Sequence, residues 1–142
     1  MKPFLILQLR PETEAADNEF AAFLAKGELD ATDVHRIRLD RENLPERLDL
    51  AAYGGVIVGG GPGCVSDDPA TKDPLEKKIE AEILTLMPEI CGRDLPFLGC
   101  CYGIGILGHH LAPGIVSKRA FGEPVGGVDC MLTNDGRSDP LL

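Results

Sequence analysis

The chain has 142 residues, which is the usual length of one domain. Its 14 Lys and Arg residues against 23 Asp and Glu residues give a net charge of -9, which disfavours nucleic acid and anionic membrane surfaces as partners because both are polyanions. The five cysteines form no Cys-x-x-Cys pair, and no apolar run approaches the ~20 residues of a membrane span, so we expect a cytoplasmic protein that binds no metal.

The first half of the chain predicts three strands and one helix. Residues 4–9, FLILQL, form the continuous apolar run of a strand that is buried on both faces. A helix is expected between Pro11 and Gly27, because apolar residues recur there at helical spacing. Residues 33–39 alternate polar and apolar side chains, which favours a strand near a sheet edge, and residues 54–63 predict a buried strand that runs into a Gly-Pro turn.

The second half begins with the strongest predicted helix. Asp73 is a typical N-cap and Pro74 suits the first helical position, although Pro88 is expected to kink this helix or end it early. Residues 96–100 then predict a fourth strand, and residues 102–112 the helix that follows it.

Two further strands are expected over residues 114–121 and 127–133, with a turn between them. Strands that alternate with helices predict an α/β fold with a doubly wound, mostly parallel sheet. The last two residues are leucines directly after a turn. From this ending we expect that residues 1–142 are an incomplete domain, truncated at the C-terminus.

Two glycine patterns overlap in residues 96–110, PFLGCCYGIGILGHH. The first, Gly-x-Cys-x-Gly, is made by Gly99, Cys101 and Gly103, and it is typical of a nucleophile on a sharp strand-to-helix turn, where glycine allows close approach. A thiol at a helix N-terminus is favoured as thiolate, and the next backbone N–H can bind an oxyanion. Cys100 has no glycines at the corresponding places and does not fit the pattern.

The second pattern, Gly-x-Gly-x-x-Gly, is made by Gly103, Gly105 and Gly108, and it indicates a dinucleotide site. Against that interpretation, Gly99 already breaks the strand before the pattern starts, and the acidic residue at the expected distance, Glu123, lies in a Gly-Pro turn. A purely structural cysteine between glycines is the third alternative. The motif alone leaves all three open and favours the nucleophile.

A second glycine-rich loop, residues 59–63, follows the third predicted strand. Because ligands bind beyond the carboxyl ends of parallel strands, this loop and residues 99–103 are expected to line one crevice. A backbone N–H of Gly60 or Gly61 could then point at Cys101. Two N–H donors that face one nucleophile are the minimum for an oxyanion hole, which further favours the nucleophile.

Three stretches resemble the class I glutamine amidotransferases, a family that includes the glutaminase domain of GMP synthase: VIVGGGPGCVSD, PFLGCCYGIGIL and the ending GGVDCMLTNDGRSDPLL. The likeness extends over nearly the whole chain. It implies a flavodoxin-like, three-layer fold and a glutaminase that hydrolyses glutamine to glutamate and ammonia without a cofactor. It also implies a synthetase or synthase partner that accepts the ammonia.

The same resemblance assigns roles by position. It implies that Cys101 is the nucleophile and that the N–H groups of Gly61 and Tyr102 form the oxyanion hole. It further implies that Gly63 and Gly105, together with Gly61, lie beside the substrate.

The chain departs from the family pattern at two points. The family commonly has Gln four residues after the nucleophile, where this chain has Gly105. The family also completes its triad with a His-x-Glu pair, which is absent: His35 lies in an early strand, and His109 and His110 lie two turns along the last predicted helix. The alternatives to a glutaminase are therefore another cysteine hydrolase with the same turn, or a non-catalytic regulatory or partner-binding domain.

Overall fold

The structure, a computed structural model, describes residues 2–117 and 126–140. The strands in these ranges are β1 (Phe4–Gln8), β2 (Val34–Arg38), β3 (Gly55–Val58) and β4 (Phe97–Gly99). The helices are α1 (Thr13–Gly27), α2 (Pro74–Gly92) and α3 (Tyr102–Leu111), with short 3-10 turns at Ala31–Asp33, Leu50–Ala52 and Gly136–Ser138. Within the described ranges, no helix has the length and apolar character needed to cross a lipid bilayer.

The four strands form one parallel sheet in the order β2-β1-β3-β4. Phe4 pairs with Val34 on one side and with Gly55 on the other, and Val56 pairs with Phe97. The parallel α/β sheet is thus confirmed. Since all strands point the same way, the loops that follow β1, β3 and β4 meet at one edge of the sheet.

Alternate side chains of each strand face opposite helical layers. On one face, Leu7 and Val58 belong to the apolar core that also contains buried residues of α2 and α3. On the other face, Gln8 Nε2 donates to Ala16 O of α1 at 2.7 Å, and Arg36 of β2 pairs with Asp17 of α1 at 2.7 Å. The sheet therefore lies between two layers of helix, as a flavodoxin-like fold requires.

Helix α2 begins where the sequence predicts. The Asp73 carboxylate accepts the Leu75 N–H at 2.8 Å, and the Glu76 carboxylate accepts the Asp73 N–H at 3.3 Å, so the two side chains cap reciprocally. Pro74 takes the first helical position, where no N–H partner is needed. The apolar stripe of the helix is buried at Ile79, Ile83, Met87 and Ile90.

Of the two outcomes expected at Pro88, a kink or an early end, the early end is wrong, because the helix continues to Gly92. Pro88 itself is exposed, while Met87 and Ile90 on either side of it are buried in the core. A proline inside a helix costs ~3 kcal/mol. Burial of the flanking apolar side chains outweighs that cost, since tertiary packing supplies most of the stability of a helix in a protein.

The two strands expected after α3 are also wrong as far as they are described. Residues 127–133 contain no strand, and neither do residues 114–117; residues 118–125, with most of the predicted turn, lie outside the described residues. Met131 is 93% exposed. An apolar alternation makes a strand only where a neighbouring strand supplies hydrogen bonds, and no strand of the described sheet runs beside these residues.

Replacing Pro88 with Ala tests the cost of this proline. Alanine restores the missing N–H and removes the ring from the preceding turn, so we expect the free energy of unfolding to rise by about 1 to 3 kcal/mol. The exposed Thr85→Ala variant of the same helix is the control, and its gain should not exceed about 0.7 kcal/mol. Urea unfolding followed by circular dichroism measures both. Equal gains would show that Pro88 carries no special cost.

Candidate active site

Cys101 lies in the tight connection between β4 and α3. Its backbone has φ 52° and ψ -104°, in the region that favours glycine, and its side chain is exposed. This kind of conformation costs on the order of 1–3 kcal/mol and persists only where the surroundings hold it. Here Cys100 N donates to Val58 O at 2.9 Å, and Gly103 N donates to Cys100 O at 2.9 Å. The connection therefore presents Cys101 at the carboxyl edge of the sheet.

The glycines on either side of Cys101 are required by close packing. A Cβ on Gly99 would lie 2.6 Å from Ile104 N, in the first turn of α3. A Cβ on Gly103 would overlap Val58 O of β3. Strand and helix approach so closely at these points that a larger residue forces the backbone to move.

The loop at residues 59–63 reaches the same place. A Cβ on Gly60 would lie 3.3 Å from Cys101 Cβ, and one on Gly61 would lie 3.0 Å from Tyr102 Cδ1. The two glycine-rich loops thus line one crevice. The sequence left Gly60 and Gly61 as alternative N–H donors, and the structure separates them. Gly60 N is occupied, since it donates to Glu19 Oε1 at 2.8 Å.

The Gly61 N–H and the Tyr102 N–H have no hydrogen-bond partner among the described residues. Tyr102 is the first residue of α3, so its N–H is one of those that a helix leaves without an internal partner. Gly61 lies in the loop beside Cys101, and Tyr102 directly follows Cys101 at the start of α3. They are the two donors that sequence reasoning had named for an oxyanion.

Glu19, on α1, fixes the loop at residues 59–63 through a hydrogen bond, and it was not predicted from the sequence. Its carboxylate accepts the Gly60 N–H at 2.8 Å, Gln8 Nε2 at 2.9 Å and Arg10 Nε at 3.2 Å. The one sequence signal was Gln8, a polar residue in an otherwise apolar strand. Gln8 is fully buried and needs partners, and Glu19 is one of them.

None of the three histidines lies next to Cys101. The His35 ring shares a 2.6 Å hydrogen bond with the Tyr53 hydroxyl and belongs to β2, at the opposite side of the sheet from β4. His109 and His110 are in the last turn of α3, about 12 Å along the helix from Cys101. Among the described residues there is also no cluster of His, Cys, Asp and Glu that could hold a metal ion.

The family model described as glutamine amidotransferase class-I matches residues 20–138, which include both glycine-rich loops and Cys101. The chain belongs to the class I glutamine amidotransferases. Comparison with curated protein sequences gives no significant match.

The amidotransferase chain also matches a crystal structure of a glutamine amidotransferase from Methylobacillus flagellatus. The two share 24% sequence identity and a TM-score of 0.55, so the likeness shows the fold. The match covers 79% of this chain but 39% of the solved one. This amidotransferase chain therefore spans well under half the length of its structural relative.

The dinucleotide pattern does not form a nucleotide loop in this amidotransferase. Gly103, Gly105 and Gly108 all lie inside α3 rather than in the turn before it. A pyrophosphate site needs its first glycines in the strand-to-helix turn, where backbone N–H groups are free. Gly103 is instead packed against Val58.

The two remaining glycines that the family resemblance placed beside the substrate differ in their surroundings. Gly63 is closely packed, since a Cβ there would lie 2.7 Å from Tyr102 Cε1 and 2.7 Å from Glu76 Oε1. Gly105 is less confined, because a Cβ would meet Val65 at 3.5 Å, an ordinary contact distance. Packing therefore does not require glycine at position 105, where other amidotransferases commonly carry Gln.

A buried polar network under the crevice was also missed. The Tyr102 hydroxyl donates to Glu80 Oε1, and Lys72 Nζ donates to both Glu80 oxygens at 2.6 and 2.8 Å and to Val65 O at 3.0 Å. Burial and the hydrogen bond to Glu80 raise the pKa of Tyr102, so the hydroxyl stays a donor. The network ties the loop before α2 to α2 itself and to the first residue of α3.

Cys100 and Cys101 have different environments despite being adjacent. Cys101 is exposed, whereas Cys100 is half-buried. Burial, followed by the nearby Glu19 carboxylate and the Cys101 thiol, raises the pKa of the Cys100 thiol. Cys100 therefore stays protonated, and unreactive as a nucleophile, to higher pH than an ordinary cysteine.

Gly103→Ala and Gly105→Ala form a matched pair, because both add one methyl group to α3. The methyl group at 103 overlaps Val58 O, so we expect a loss of about 1 to 3 kcal/mol in stability and slower alkylation of Cys101. The methyl group at 105 meets no close atom, so the better helix propensity of alanine should raise stability by up to about 1 kcal/mol. Urea unfolding and the iodoacetamide rate of Cys101 measure both effects. Equal behaviour of the two variants would contradict this account of the turn.

Lys72→Met tests the buried network. It leaves the Glu80 carboxylate buried without its cation, so we expect a loss of about 3 to 5 kcal/mol in the free energy of unfolding. Adding Glu80→Gln removes the buried charge and keeps an acceptor for Tyr102, so the double variant should recover part of that loss. Urea unfolding of the two single variants and the double variant completes the cycle. Strictly additive losses would show that Lys72 and Glu80 do not depend on each other.

Proposed function

We propose that this amidotransferase chain carries the nucleophile and oxyanion hole of a glutaminase site that supplies ammonia to an acceptor reaction. The observation that supports the proposal is an exposed Cys101 in a strained turn, next to the N–H groups of Gly61 and Tyr102, which have no partner among the described residues. A strained nucleophile beside free donors is the arrangement that acyl-transfer chemistry uses.

In the proposed reaction, the Cys101 thiolate attacks the carboxamide carbon of glutamine. The S–C bond forms, the carbonyl electron pair moves onto oxygen, and the N–H groups of Gly61 and Tyr102 donate to that oxyanion. Each such donor contributes about 10²- to 10³-fold to the rate. Collapse breaks the C–N bond, and the nitrogen takes up a proton and leaves as ammonia. Water then cleaves the thioester and releases glutamate.

The proton transfers need a general base, and His35, His109 and His110 all lie away from Cys101. We therefore propose that the domain is incomplete in these 142 residues and that a His-x-Glu pair outside them completes the site. The match over 39% of the solved relative supports this proposal. A positioned base contributes about 10²- to 10⁴-fold, so the chain alone should turn over glutamine very slowly.

The partner in this proposal is a synthetase or synthase that uses ammonia, and the location is the cytoplasm. The five cysteines are free, which suits a reducing compartment. The net charge of -9 disfavours nucleic acid as the acceptor.

A different amide as substrate is the second candidate, and Gly105 favours it. The family commonly carries Gln at this position, whereas Gly105 offers no polar side chain, and a Cβ there would meet only Val65 at 3.5 Å and Val116 at 3.8 Å. A non-catalytic, partner-binding domain is the third candidate, favoured by the distance of the histidines from Cys101. Glutamate release by a longer chain that contains a His-x-Glu pair would exclude both.

Labelling with the glutamine analogue 6-diazo-5-oxo-L-norleucine tests the nucleophile. We expect Cys101 to be alkylated first, because it is exposed at a helix N-terminus beside free N–H donors. Cys100 should be alkylated more slowly than Cys101 at neutral pH, since the pKa of the Cys100 thiol is raised. Peptide mapping by mass spectrometry after partial reaction locates the label. A label mainly on Cys100 or Cys64 would contradict the assignment.

Two variants serve as controls for this labelling. Cys101→Ala should abolish rapid alkylation, whereas Cys100→Ala should preserve it. Glutamate release measured on the same samples should be negligible for the 142-residue chain. Rapid release would mean that a base lies within these residues.

A further inference from the structure

Arg10 lies at the same edge of the sheet as the two glycine-rich loops, because it follows the carboxyl end of β1, which pairs with β3. Its Nη2 is 2.8 Å from the position that a Cβ on Gly60 would occupy, and Cys101 Cβ is 3.3 Å from that same position. Arg10 Nη2 and Cys101 Cβ therefore lie close to the same point. The distance between these two atoms is at most the sum of the two distances given above.

The guanidinium of Arg10 is held by one nitrogen and leaves the others available. Nε donates to Glu19 Oε1 at 3.2 Å, and among the described residues neither Nη atom has a hydrogen-bond partner. The side chain is 33% exposed. Its own backbone is fixed, since Arg10 O accepts Arg38 Nη2 at 3.2 Å.

Among the described arginines of β1, β2 and the loops that follow them, Arg10 is available to receive a ligand at this edge, because the neighbouring arginines are paired. Glu19 already accepts from Gln8 and Gly60 as well as from Arg10, so its charge is shared among three donors. Arg38 is paired with Asp40 at 2.7 Å, and Arg36 with Asp17. A guanidinium whose two Nη groups are free matches a carboxylate, to which these groups can donate two parallel hydrogen bonds.

We propose that Arg10 binds the carboxylate of the substrate and thereby restricts the site to amides that carry a carboxylate at the far end. This inference rests on the proposed function, since it takes Cys101 as the group that attacks the amide. The amide carbon of glutamine lies four bonds from the carbon of its α-carboxylate, about 5 Å in the extended chain. That length suits the short separation between Cys101 and the Arg10 guanidinium.

Two chloroketones of matched shape test the proposal on the full chain. 6-Chloro-5-oxohexanoate has the carbon skeleton of glutamine with its carboxylate, and its methyl ester lacks the charge. In both, the Cys101 thiolate displaces chloride, so an S–C bond forms as the C–Cl bond breaks. The second-order rate of Cys101 alkylation is measured with each compound by mass spectrometry.

We expect the wild-type chain to react faster with the acid than with the ester. In Arg10→Gln, the rate of alkylation by the acid should fall by about 10- to 100-fold, because one charge-assisted hydrogen-bonded contact is lost. The rate of alkylation by the ester should not change. Arg10→Lys keeps the charge without the paired donors and should retain part of the preference. Arg93→Gln is the control. It removes an equal charge from the exposed ion pair with Glu89 at the end of α2, and it should behave as wild type.

Two results would overturn the proposal: equal rates of acid and ester in the wild type, or an equal loss of both rates in Arg10→Gln. The second would mean that Arg10 acts by holding Glu19 and the Gly60 loop in place. A preference for the acid that depends on Arg10, in a chain whose longer form releases no glutamate, would uphold the carboxylate site while the glutaminase function fails.

Discussion

The contact between the first turn of α3 and the end of β3 is the constraint on which the site depends. Gly103 lies against Val58 O, and that same oxygen accepts the Cys100 N–H. The Val58 carbonyl thus contacts the chain on both sides of Cys101, at Cys100 after β4 and at Gly103 in the first turn of α3. The positive φ of Cys101 follows, because the chain has two residues in which to turn from β4 into α3. The strained conformation of this turn persists because the rigid strand and helix on either side hold it.

Two carboxylates, the partly buried Glu19 and the buried Glu80, position the two loops of the site from opposite faces of the sheet. Glu19, on the α1 side, accepts the Gly60 N–H, whereas the Gly61 N–H of the same loop has no partner among the described residues. Glu80, on the α2 side, accepts from Lys72 and Tyr102 and fixes the first residue of α3. Each is satisfied by several donors, which is the condition under which a buried charge is tolerated. The loops of the site are therefore held by polar contacts rather than by apolar packing.

The elements that carry local signals could be predicted from the sequence. Asp73 and Pro74 predicted the start of α2, and the glycines around Cys101 predicted the tight turn, because these signals act within a few residues. The early end of α2 at Pro88 was predicted wrongly. The cost of a proline is visible in the local sequence, whereas the burial of Met87 and Ile90 that outweighs it depends on tertiary packing. The strand expected over residues 127–133 failed because a strand needs a neighbour that the local pattern does not reveal. Glu19, Arg10 and Lys72 were missed since their partners are distant in sequence or belong to another element.

The hydrogen bond from Gly60 N to Glu19 joins residues 41 positions apart. Closing so long a loop costs chain entropy that one hydrogen bond does not repay, so we expect this bond to form only once β1, α1 and β3 have packed together. The carboxylate that shapes the loop belongs to the first βα unit, which leaves the ribosome before the loop does. The acceptor of the Gly60 N–H is therefore already synthesised when the loop of Gly60 emerges.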